Sequence, residues 1–334
     1  MLEFTVSQNP AEPDAFSTIG EALSQLPEDD FAPVTVRIGA GTYREKLTVS
    51  RPNVTLIGED VRTTVIAFDD YANQIMPDGS KRGTFRSYTL LLDGNNITLS
   101  NLTIRNDAYP RSQVGQAIAL YADGDRIIVD NCRLISYQDT LFTGPLPPNP
   151  LSPGGFIGPK EFAERIVGRQ YYKNCYICGD IDFIFGSAIA YFENCEIATV
   201  YSEIPTKTHQ DGSPLYGYVT AASTPEGFPY GYVFKSCAFT GACPDETVYL
   251  GRPWRNFAKT VLLDCYLGSH IKKEGFHDWN KTEAHQTILY AEYHSTGKGA
   301  VPESRAPYVK QLTDEEAALY TREAVLSGED NWCP

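Results

Sequence analysis

A short strand, turn and strand pattern recurs six times along the chain. Each copy has Asn, Ser or Asp at a turn, then Leu or Cys, one further residue and a large apolar residue. β-prone residues precede every copy, and side-chain alternation along a strand points the Leu or Cys inward. The turn residues are Asn101, Asn131, Asn174, Asn194, Ser236 and Asp264. Such self-similarity predicts a solenoid, in which each coil contacts only its neighbours.

The spacing of the copies fits one solenoid coil plus loops of variable length on one side. Successive copies lie between 20 and 43 residues apart. Asn tolerates the left-handed backbone of a tight turn, and Asn, Ser and Asp side chains hydrogen-bond to turn backbone. Stacked coils should therefore align the turn residues as a polar ladder. The cysteines of the copies should stack inside as small apolar groups; they are Cys132, Cys175, Cys195, Cys237 and Cys265.

Both ends of a solenoid must be covered. The motif Thr18-x-x-Glu21 is a capping box before an apolar helical face, which predicts a short helix over the N-terminal end. The motif Thr313-x-x-Glu316 predicts a second helical stretch to about Val325, which packs against the coils. The expected fold is therefore an all-β solenoid with a helical segment at each end.

The acidic balance of the chain excludes two classes of partner. A net charge of −14 and a pI near 4.8 would repel nucleic acid and anionic membranes. The sequence has no run of 18 apolar residues, and the N-terminal MLEFTVSQNP lacks the basic and apolar regions of a signal peptide. We expect a monomer that is either cytoplasmic or a secreted form whose signal has been removed.

The cysteines indicate packing rather than a metal or redox role. Eight cysteines in 334 residues are too sparse for a disulfide-stapled scaffold. Cys175 and Cys178 form a lone CxxC without a second pair, which is a weak metal signal. Cys178, Cys243 and Cys333 fall outside the repeat and have no assigned place. We therefore expect neither a metal ion nor another cofactor.

Two aspartates occupy matching positions relative to the repeat. Asp139 lies seven residues after Cys132, and Asp182 lies seven residues after Cys175. If these coils are neighbours, strands ~4.8 Å apart place the two carboxyl groups across one rung, where like charges disturb each other's pKa. One carboxyl group is then expected to hold its proton while the other is charged.

A Pro/Gly-rich segment separates the two coils that carry these aspartates. The run GPLPPNPLSPGGFIG begins at Gly144, and proline at that density cannot serve an interior strand. We predict an inserted loop at about residues 144–168 that emerges beside the aspartates and lengthens one wall of a cleft. No linker divides the chain elsewhere, so residues 1–334 are expected to form a single domain.

Five motifs, in order along the chain, resemble those of the pectin methylesterase family. They are Gly41-x-Tyr43-x-Glu45, Gln116-Ala-Ile-Ala-Leu120, Gln138-Asp-Thr-Leu141, Asp182-Phe-Ile-Phe-Gly186 and Leu250-Gly-Arg-Pro-Trp254. The resemblance extends roughly from Phe4 to His294. It implies a right-handed parallel β-helix that hydrolyses methyl esters of polygalacturonate. The implied partner is methyl-esterified homogalacturonan or its oligomers.

The resemblance also implies a role for each catalytic position. Asp182 would be the nucleophile, and Asp139 would act first as general acid and later as general base. Gln116 and Gln138 would donate amide hydrogen bonds to the tetrahedral oxyanion, and Arg252 would keep Asp182 charged and oriented. These roles agree with the chemistry, because a carboxylate is a weak nucleophile that needs a cationic neighbour and donors aimed at the developing charge.

Three aromatic residues adjoin these positions and are predicted to bind sugar rings. They are Trp254, Tyr137 and Phe183, whose apolar faces suit a carbohydrate. Core packing is the competing interpretation, and it is strongest for Phe183. Trp279 would extend the cleft, although its surroundings depart from the Gly-Trp context of the family.

Other function classes stay open on the residues alone. A β-helix depolymerase, either a lyase or a glycosidase, would act on the same polymer, and an aspartate pair can serve a glycosidase. A non-catalytic carbohydrate-binding solenoid would need no cluster of acid, nucleophile and oxyanion donors. Serine-esterase chemistry is disfavoured because the chain has no G-x-S-x-G, and its five histidines, His209 among them, have no triad or metal spacing.

Overall fold

The computed structural model describes residues 2–9, 11–12, 14–27, 30–202, 207–208 and 212–334. The chain winds into coils that stack on one another and contribute strands to three sheets. Neighbouring strands within each of these sheets run parallel, and the strands are numbered here in chain order. This is a parallel β-helix, as the repeat predicts.

Within the described residues, the first sheet has eleven strands. In spatial order they are β1 (Leu2–Val6), β2 (Val34–Ile38), β5 (Val54–Gly58), β8 (Thr98–Ser100), β11 (Ile127–Asp130), β14 (Arg169–Lys173), β17 (Ile189–Glu193), β22 (Tyr232–Lys235), β25 (Lys259–Leu263), β27 (Leu289–Tyr293) and β28 (Val309–Gln311). The strands pair in register from coil to coil, so like positions stack. The rings of Tyr172, Phe192 and Phe234, for example, stack with centroids 4.6 and 4.5 Å apart.

In the same described part of the chain, the second sheet has eight strands and the third has seven. The second contains β3 (Gly41–Tyr43), β6 (Thr64–Phe68), β9 (Thr103–Asn106), β12 (Arg133–Ile135), β15 (Tyr176–Gly179), β18 (Glu196–Thr199), β23 (Ala238–Gly241) and β26 (Tyr266–Leu267). The third contains β4 (Leu47–Val49), β7 (Leu90–Leu92), β10 (Leu120–Ala122), β13 (Leu141–Thr143), β16 (Ile181–Gly186), β21 (Gly217–Ala222) and β24 (Val248–Gly251). A separate antiparallel pair joins β19 (Lys207–Thr208) to β20 (Pro214–Leu215).

The turns of the repeat have the backbone that their residues favour. At all six predicted turn residues φ is positive, between 49° and 56°. The Leu or Cys that follows each turn is buried in the main core. The Asn131 side chain donates a hydrogen bond to Asn101 at 2.8 Å, which forms one rung of the expected ladder. The predicted interior stack of cysteines is confirmed.

Helical segments are present near both ends of the chain, as expected, but the C-terminal one is interrupted and packs on the outer face of the first sheet. Helix α1 (Ile19–Ser24) begins at the predicted capping box, and its first two amides donate hydrogen bonds to Glu45 at 2.9 and 2.8 Å. Helix α2 (Arg111–Val114) follows β9, and short 3₁₀ turns span Thr84–Arg86, Thr282–Gln286 and Pro302–Ser304. These segments leave the stacked coils regular.

The predicted single helical stretch at residues 313–325 is wrong in one respect. It consists of α3 (Asp314–Ala317), a 3₁₀ turn (Ala318–Tyr320) and α4 (Arg322–Leu326). Thr321 breaks the stretch because its extended backbone starts a new helix, and its hydroxyl accepts a hydrogen bond from Ala324 N–H at 3.1 Å. Val325 and Leu326 pack on the outer face of the first sheet. No helix among the described residues has the length and apolarity needed to cross a membrane.

Residues 144–168 connect β13 to β14 without forming a strand in the described structure. Leu146 and Phe156 are buried against the outer face of the third sheet, whereas Leu151 and Phe162 are exposed. The segment therefore folds back over the sheet that carries the two aspartates.

Candidate active site

The two aspartates lie beside each other on adjacent coils. Strands β13 and β16 pair with Leu141 opposite Ile184, and the same register sets Asp139 opposite Asp182. The Asp139 N–H donates a hydrogen bond to the Ile181 carbonyl at 3.0 Å. Both aspartates have left-handed backbone, with φ of 65° and 49°. Such conformations are uncommon outside Gly, Asn and Asp and often occur at functional sites.

A cleft of about 300 Å³ lies over these aspartates on the outer side of the third sheet. Its polar lining consists of Gln116, Gln138, Asp139, Asp182 and Arg252, together with Thr84 and Ser152. Its apolar lining consists of Phe85, Leu151, Phe156, Phe185, Ala221, Trp254 and Trp279. The structure thus brings all five predicted catalytic residues into one cleft.

Arg252 is fixed against Asp182 by hydrogen bonds and by two aromatic rings. Its Nε and Nη2 donate to the two carboxylate oxygens at 2.8 and 2.6 Å. The side chains are only 7% and 11% exposed, so the pair is shielded from water. The guanidinium carbon lies 3.8 Å from the Tyr218 ring centroid and 3.7 Å from that of Trp279. Burial opposes the charge, but attraction to Asp182 and the hydrogen bonds outweigh it and raise the pKa of Arg252.

The aromatic clamp on Arg252 predicts a measurable role for Trp279. A desolvated cation–π contact stabilises by about 2 kcal/mol. We expect Trp279→Leu to lower kcat by about 10-fold. The Arg252 guanidinium would lose one of the two aromatic rings that keep it oriented for its paired hydrogen bonds to Asp182. Trp279→Phe should retain most of the wild-type kcat, since its phenyl ring can still stack on the guanidinium. Equal rates in the Leu and Phe variants, measured by methanol release, would contradict this role.

Asp139 is in an environment that favours its protonated form. Its carboxyl group is buried, and burial raises its pKa well above the usual value. The negative charge of Asp182 raises that pKa further, while Arg252 and a hydrogen bond with Gln138 lower it in part. The cleft therefore favours a protonated Asp139 beside the arginine-paired Asp182.

Gln116 and Gln138 occupy equivalent positions on neighbouring coils. The two residues form an isolated parallel bridge. Their backbone is held by hydrogen bonds from Ala117 N–H to the Gln138 carbonyl at 3.0 Å and from Ala72 N–H to the Gln116 carbonyl at 2.8 Å. Because both side chains line the cleft, their amide groups can donate to a substrate oxygen near the aspartates.

The structure corrects one of the three predicted sugar-binding residues. Phe183 is fully buried in the main core, so the prediction that it binds substrate is wrong. Phe183 packs so tightly against Gly179 that a Cβ atom added to Gly179 would lie only 2.3 Å from the Cβ of Phe183. Tyr137 is partly buried, does not line this cleft and instead holds its ring 4.8 Å from the Arg111 guanidinium. Trp254 does line the cleft.

Sequence reasoning missed an aromatic cluster on the outer face of the third sheet. Tyr121, Phe142 and Phe185 stand at equivalent positions of β10, β13 and β16. Trp254 packs against Phe142 and Phe185 with centroids 6.5 and 5.8 Å apart. A signal was present, since Phe142 and Phe185 each lie three residues after one of the two aspartates.

The cysteines and histidines that the structure describes lie outside the cleft, although the His277 Nδ1 accepts a hydrogen bond from the Trp279 N–H at 2.8 Å. Cys178 and Cys243 are buried, Cys333 is exposed, and all three are unpaired. His209 lies outside the described residues. Elsewhere in the described chain, no group of three or more His, Cys, Asp or Glu side chains is placed to hold a metal ion.

Comparison with known sequences identifies the family. The profile described as Pectinesterase matches residues 4–145 and 165–329. The chain belongs to the pectinesterase family. A pectinesterase from Petunia integrifolia is 31% identical, over 95% of this chain and 78% of its own length. Pectinesterase 31 from Arabidopsis thaliana is 29% identical, over 95% of this chain and 90% of its own.

Solved structures of pectin methylesterases share the whole fold. The enzyme from Erwinia chrysanthemi has a TM-score of 0.80 and 29% identity, and the alignment covers 100% of this chain and 98% of that enzyme. The carrot enzyme has a TM-score of 0.80 and 25% identity, with coverage of 98% and 93%. The predicted family, β-helix fold and esterase activity are confirmed, and this pectinesterase hydrolyses methyl esters of pectin.

Proposed function

We propose that this pectinesterase removes methyl groups from galacturonate esters in two steps, with Asp182 as nucleophile and Asp139 as acid and base. The observation that carries the proposal is the two-point hydrogen bonding of Arg252 to Asp182 beside a carboxyl group whose pKa is strongly raised. Two carboxyl groups whose environments favour opposite protonation states are suited to opposite roles, one as nucleophile and the other as proton donor.

In the first step the Asp182 carboxylate attacks the ester carbonyl carbon. The carbonyl oxygen becomes an oxyanion and accepts hydrogen bonds from the amides of Gln116 and Gln138. The bond from carbon to the methoxy oxygen then breaks, and Asp139 gives its proton to the departing oxygen. Methanol leaves, and the substrate stays joined to Asp182 as an acyl anhydride.

In the second step water replaces the methoxy group. Asp139, now a carboxylate, takes a proton from water, and the hydroxide oxygen attacks the acyl carbon. The bond from that carbon to the Asp182 oxygen breaks, which frees the galacturonate carboxyl group and restores the Asp182 carboxylate. Asp139 keeps the proton and is ready for another cycle. Each cycle consumes one ester and one water and releases one acid and one methanol.

The proposed substrate is methyl-esterified homogalacturonan or its oligomers, bound by a monomer. A pectin methylesterase with a TM-score of 0.80 to this chain was solved in complex with a hexasaccharide, which supports a saccharide in the corresponding cleft. On a chain of net charge −14, cationic side chains nevertheless meet beside this cleft. Arg255 and Lys281 both donate hydrogen bonds to the Trp254 carbonyl at 2.9 Å, next to Arg252. These positive charges favour the binding of an acidic sugar such as galacturonate.

The test of the reaction class is which bond breaks in methylated pectin. The proposed mechanism predicts methanol with no new reducing ends, because the attack is at the carboxyl carbon. A glycosidase using the same aspartate pair would instead create reducing ends, and a lyase would create unsaturated products while the esters persist. Either of those product patterns would remove the proposed mechanism.

Gln138 and Trp254 are expected to affect different kinetic constants. Loss of one oxyanion donor costs about 10²-fold in kcat, so Gln138→Ala should lower kcat with little change in KM. Trp254→Ala should act mainly by raising KM, because its ring contacts substrate in both the ground and transition states. Steady-state methanol release separates the two constants. A Gln138→Ala variant that changes only KM would contradict the role of Gln138 as an oxyanion donor.

A further inference from the structure

The 144–168 segment builds part of the cleft wall in this pectinesterase. Leu151, Ser152, Gly155 and Phe156 line the same cleft as the two aspartates. The family profile leaves residues 146–164 unmatched, so most of this segment lies outside the pattern of the family. A cleft wall that the family profile does not match points to substrate preference rather than to the shared reaction.

Phe156 packs against two parts of the wall at once. Phe85 precedes β7 and Trp254 follows β24, and these strands lie near opposite ends of the third sheet. The Phe156 ring packs edge-on against both, with centroids 5.7 Å from Phe85 and 6.2 Å from Trp254. Phe156 is only 5% exposed, so the three rings form one continuous aromatic wall.

Polar contacts fix this wall in place. Arg165 donates hydrogen bonds to the carbonyls of Lys160, Glu161 and Ala163 at 2.8, 2.6 and 2.6 Å, which ties the end of the segment together. Arg255 donates a hydrogen bond to the Asn149 carbonyl at 2.8 Å, which joins the segment to the loop that follows β24. Backbone carbonyls bound in this way resist displacement, and opening the wall would leave them without partners.

The size of the cleft agrees with a short substrate. Its volume of about 300 Å³ lies at the low end of the ~300–1,000 Å³ typical of small-molecule pockets. A long polymer needs a groove that is open at both ends, and the aromatic wall bounds the cleft on the side of the 144–168 segment. Leu151 lines the cleft and is 70% exposed, so it presents an apolar side chain at the rim.

We propose that the 144–168 loop closes one end of the cleft and makes this pectinesterase selective for short methylated galacturonides and chain ends over long pectin. The proposal rests on the proposed function, since it concerns the length of the same substrate. Phe156 and Leu151 are the residues that set this limit, Phe156 by sealing the wall and Leu151 by narrowing its rim.

The test compares kcat/KM, per methyl ester, for methylated trigalacturonide and for methylated polygalacturonate. The wild-type enzyme should prefer the trimer by about 10-fold or more, the range that a few pocket contacts provide. Leu151→Ala, at an exposed position, should reduce that preference without unfolding the protein, and Phe156→Ala should reduce it further. Phe162→Ala is the matched control, because Phe162 belongs to the same segment, is 92% exposed and does not line the cleft.

Equal efficiency on trimer and polymer in the wild-type enzyme would overturn the inference while leaving the proposed function intact. An unchanged preference in both Leu151→Ala and Phe156→Ala would also overturn it. Absence of methanol from either substrate would overturn the proposed function, and this inference with it. A preference that shifts toward polymer in these two variants but not in Phe162→Ala would support the loop as the element that limits substrate length.

Discussion

Replacing Asp182 by Asn is expected to lower kcat by at least about 10⁴-fold, because loss of a covalent nucleophile leaves only binding and oxyanion stabilisation. The amide that remains has almost the same shape but cannot attack the ester. The substitution also leaves the Arg252 guanidinium buried without its counter-charge. Breaking a buried ion pair from one side costs ~3–5 kcal/mol of folding stability, so the variant should also unfold at a lower temperature.

A second buried aspartate separates these two effects. Asp180 lies two residues before Asp182, is 3% exposed, pairs with Arg111 and does not line the cleft. Asp180→Asn should therefore lose stability in a similar way but retain most of the turnover. Methanol release and thermal unfolding of the two variants give the comparison. Near-wild-type turnover in a folded Asp182→Asn protein would exclude Asp182 as the nucleophile.

Replacing Asp139 by Asn should lower kcat by about 10³-fold, within the range for a lost general acid and base. Wild-type activity should fall as pH rises through the raised pKa of Asp139, because the first step needs its proton. The residual activity of Asp139→Asn should lack that alkaline fall. A variant that keeps the same alkaline limb would show that another group supplies the proton.

The same carboxyl group makes stability depend on pH. In the unfolded chain an Asp titrates near a pKa of about 3.9, whereas the pKa of folded Asp139 is well above its usual value. Between these two values the folded protein binds more protons, so its stability falls as pH rises. The contribution is complete below about pH 4 and is lost through the folded pKa. Denaturant unfolding across pH should show a flatter profile for Asp139→Asn than for wild type.

The alignment of the two aspartates could be predicted because the repeat itself measures position along each coil. Counting seven residues from Cys132 and from Cys175 was sufficient, and the inserted loop falls after Asp139, where it cannot change that offset. Arg252 could not be placed by counting, because it follows two further coils of different length. It was reached only through its motif.

Counting also failed where the backbone leaves the regular strand. The β16–β21 register shifts between Ile181 and Ile184, and this irregularity interrupts the two-residue alternation. Phe183 and Ile184 therefore both enter the core while Phe185 faces the cleft, which the sequence did not reveal. The stacking of Trp279 on Arg252 is a tertiary contact from a 279–280 turn with left-handed backbone, for which no periodic signal exists. The break at Thr321 did carry a signal, since Thr is a favoured helix N-cap.

The nucleophile, the acid and the arginine come from different coils, and this order affects how the site is assembled. A solenoid can fold by adding one coil to the next, so the aspartates can meet once β16 has joined β13. Arg252 follows β24, and Trp279 comes later still. During synthesis the catalytic pair would thus exist before the groups that charge and clamp it. A coil stack that ended at β21 would hold both aspartates but neither Arg252 nor Trp279, so the pair becomes reactive only after β24 and the turn at Trp279 have joined the stack.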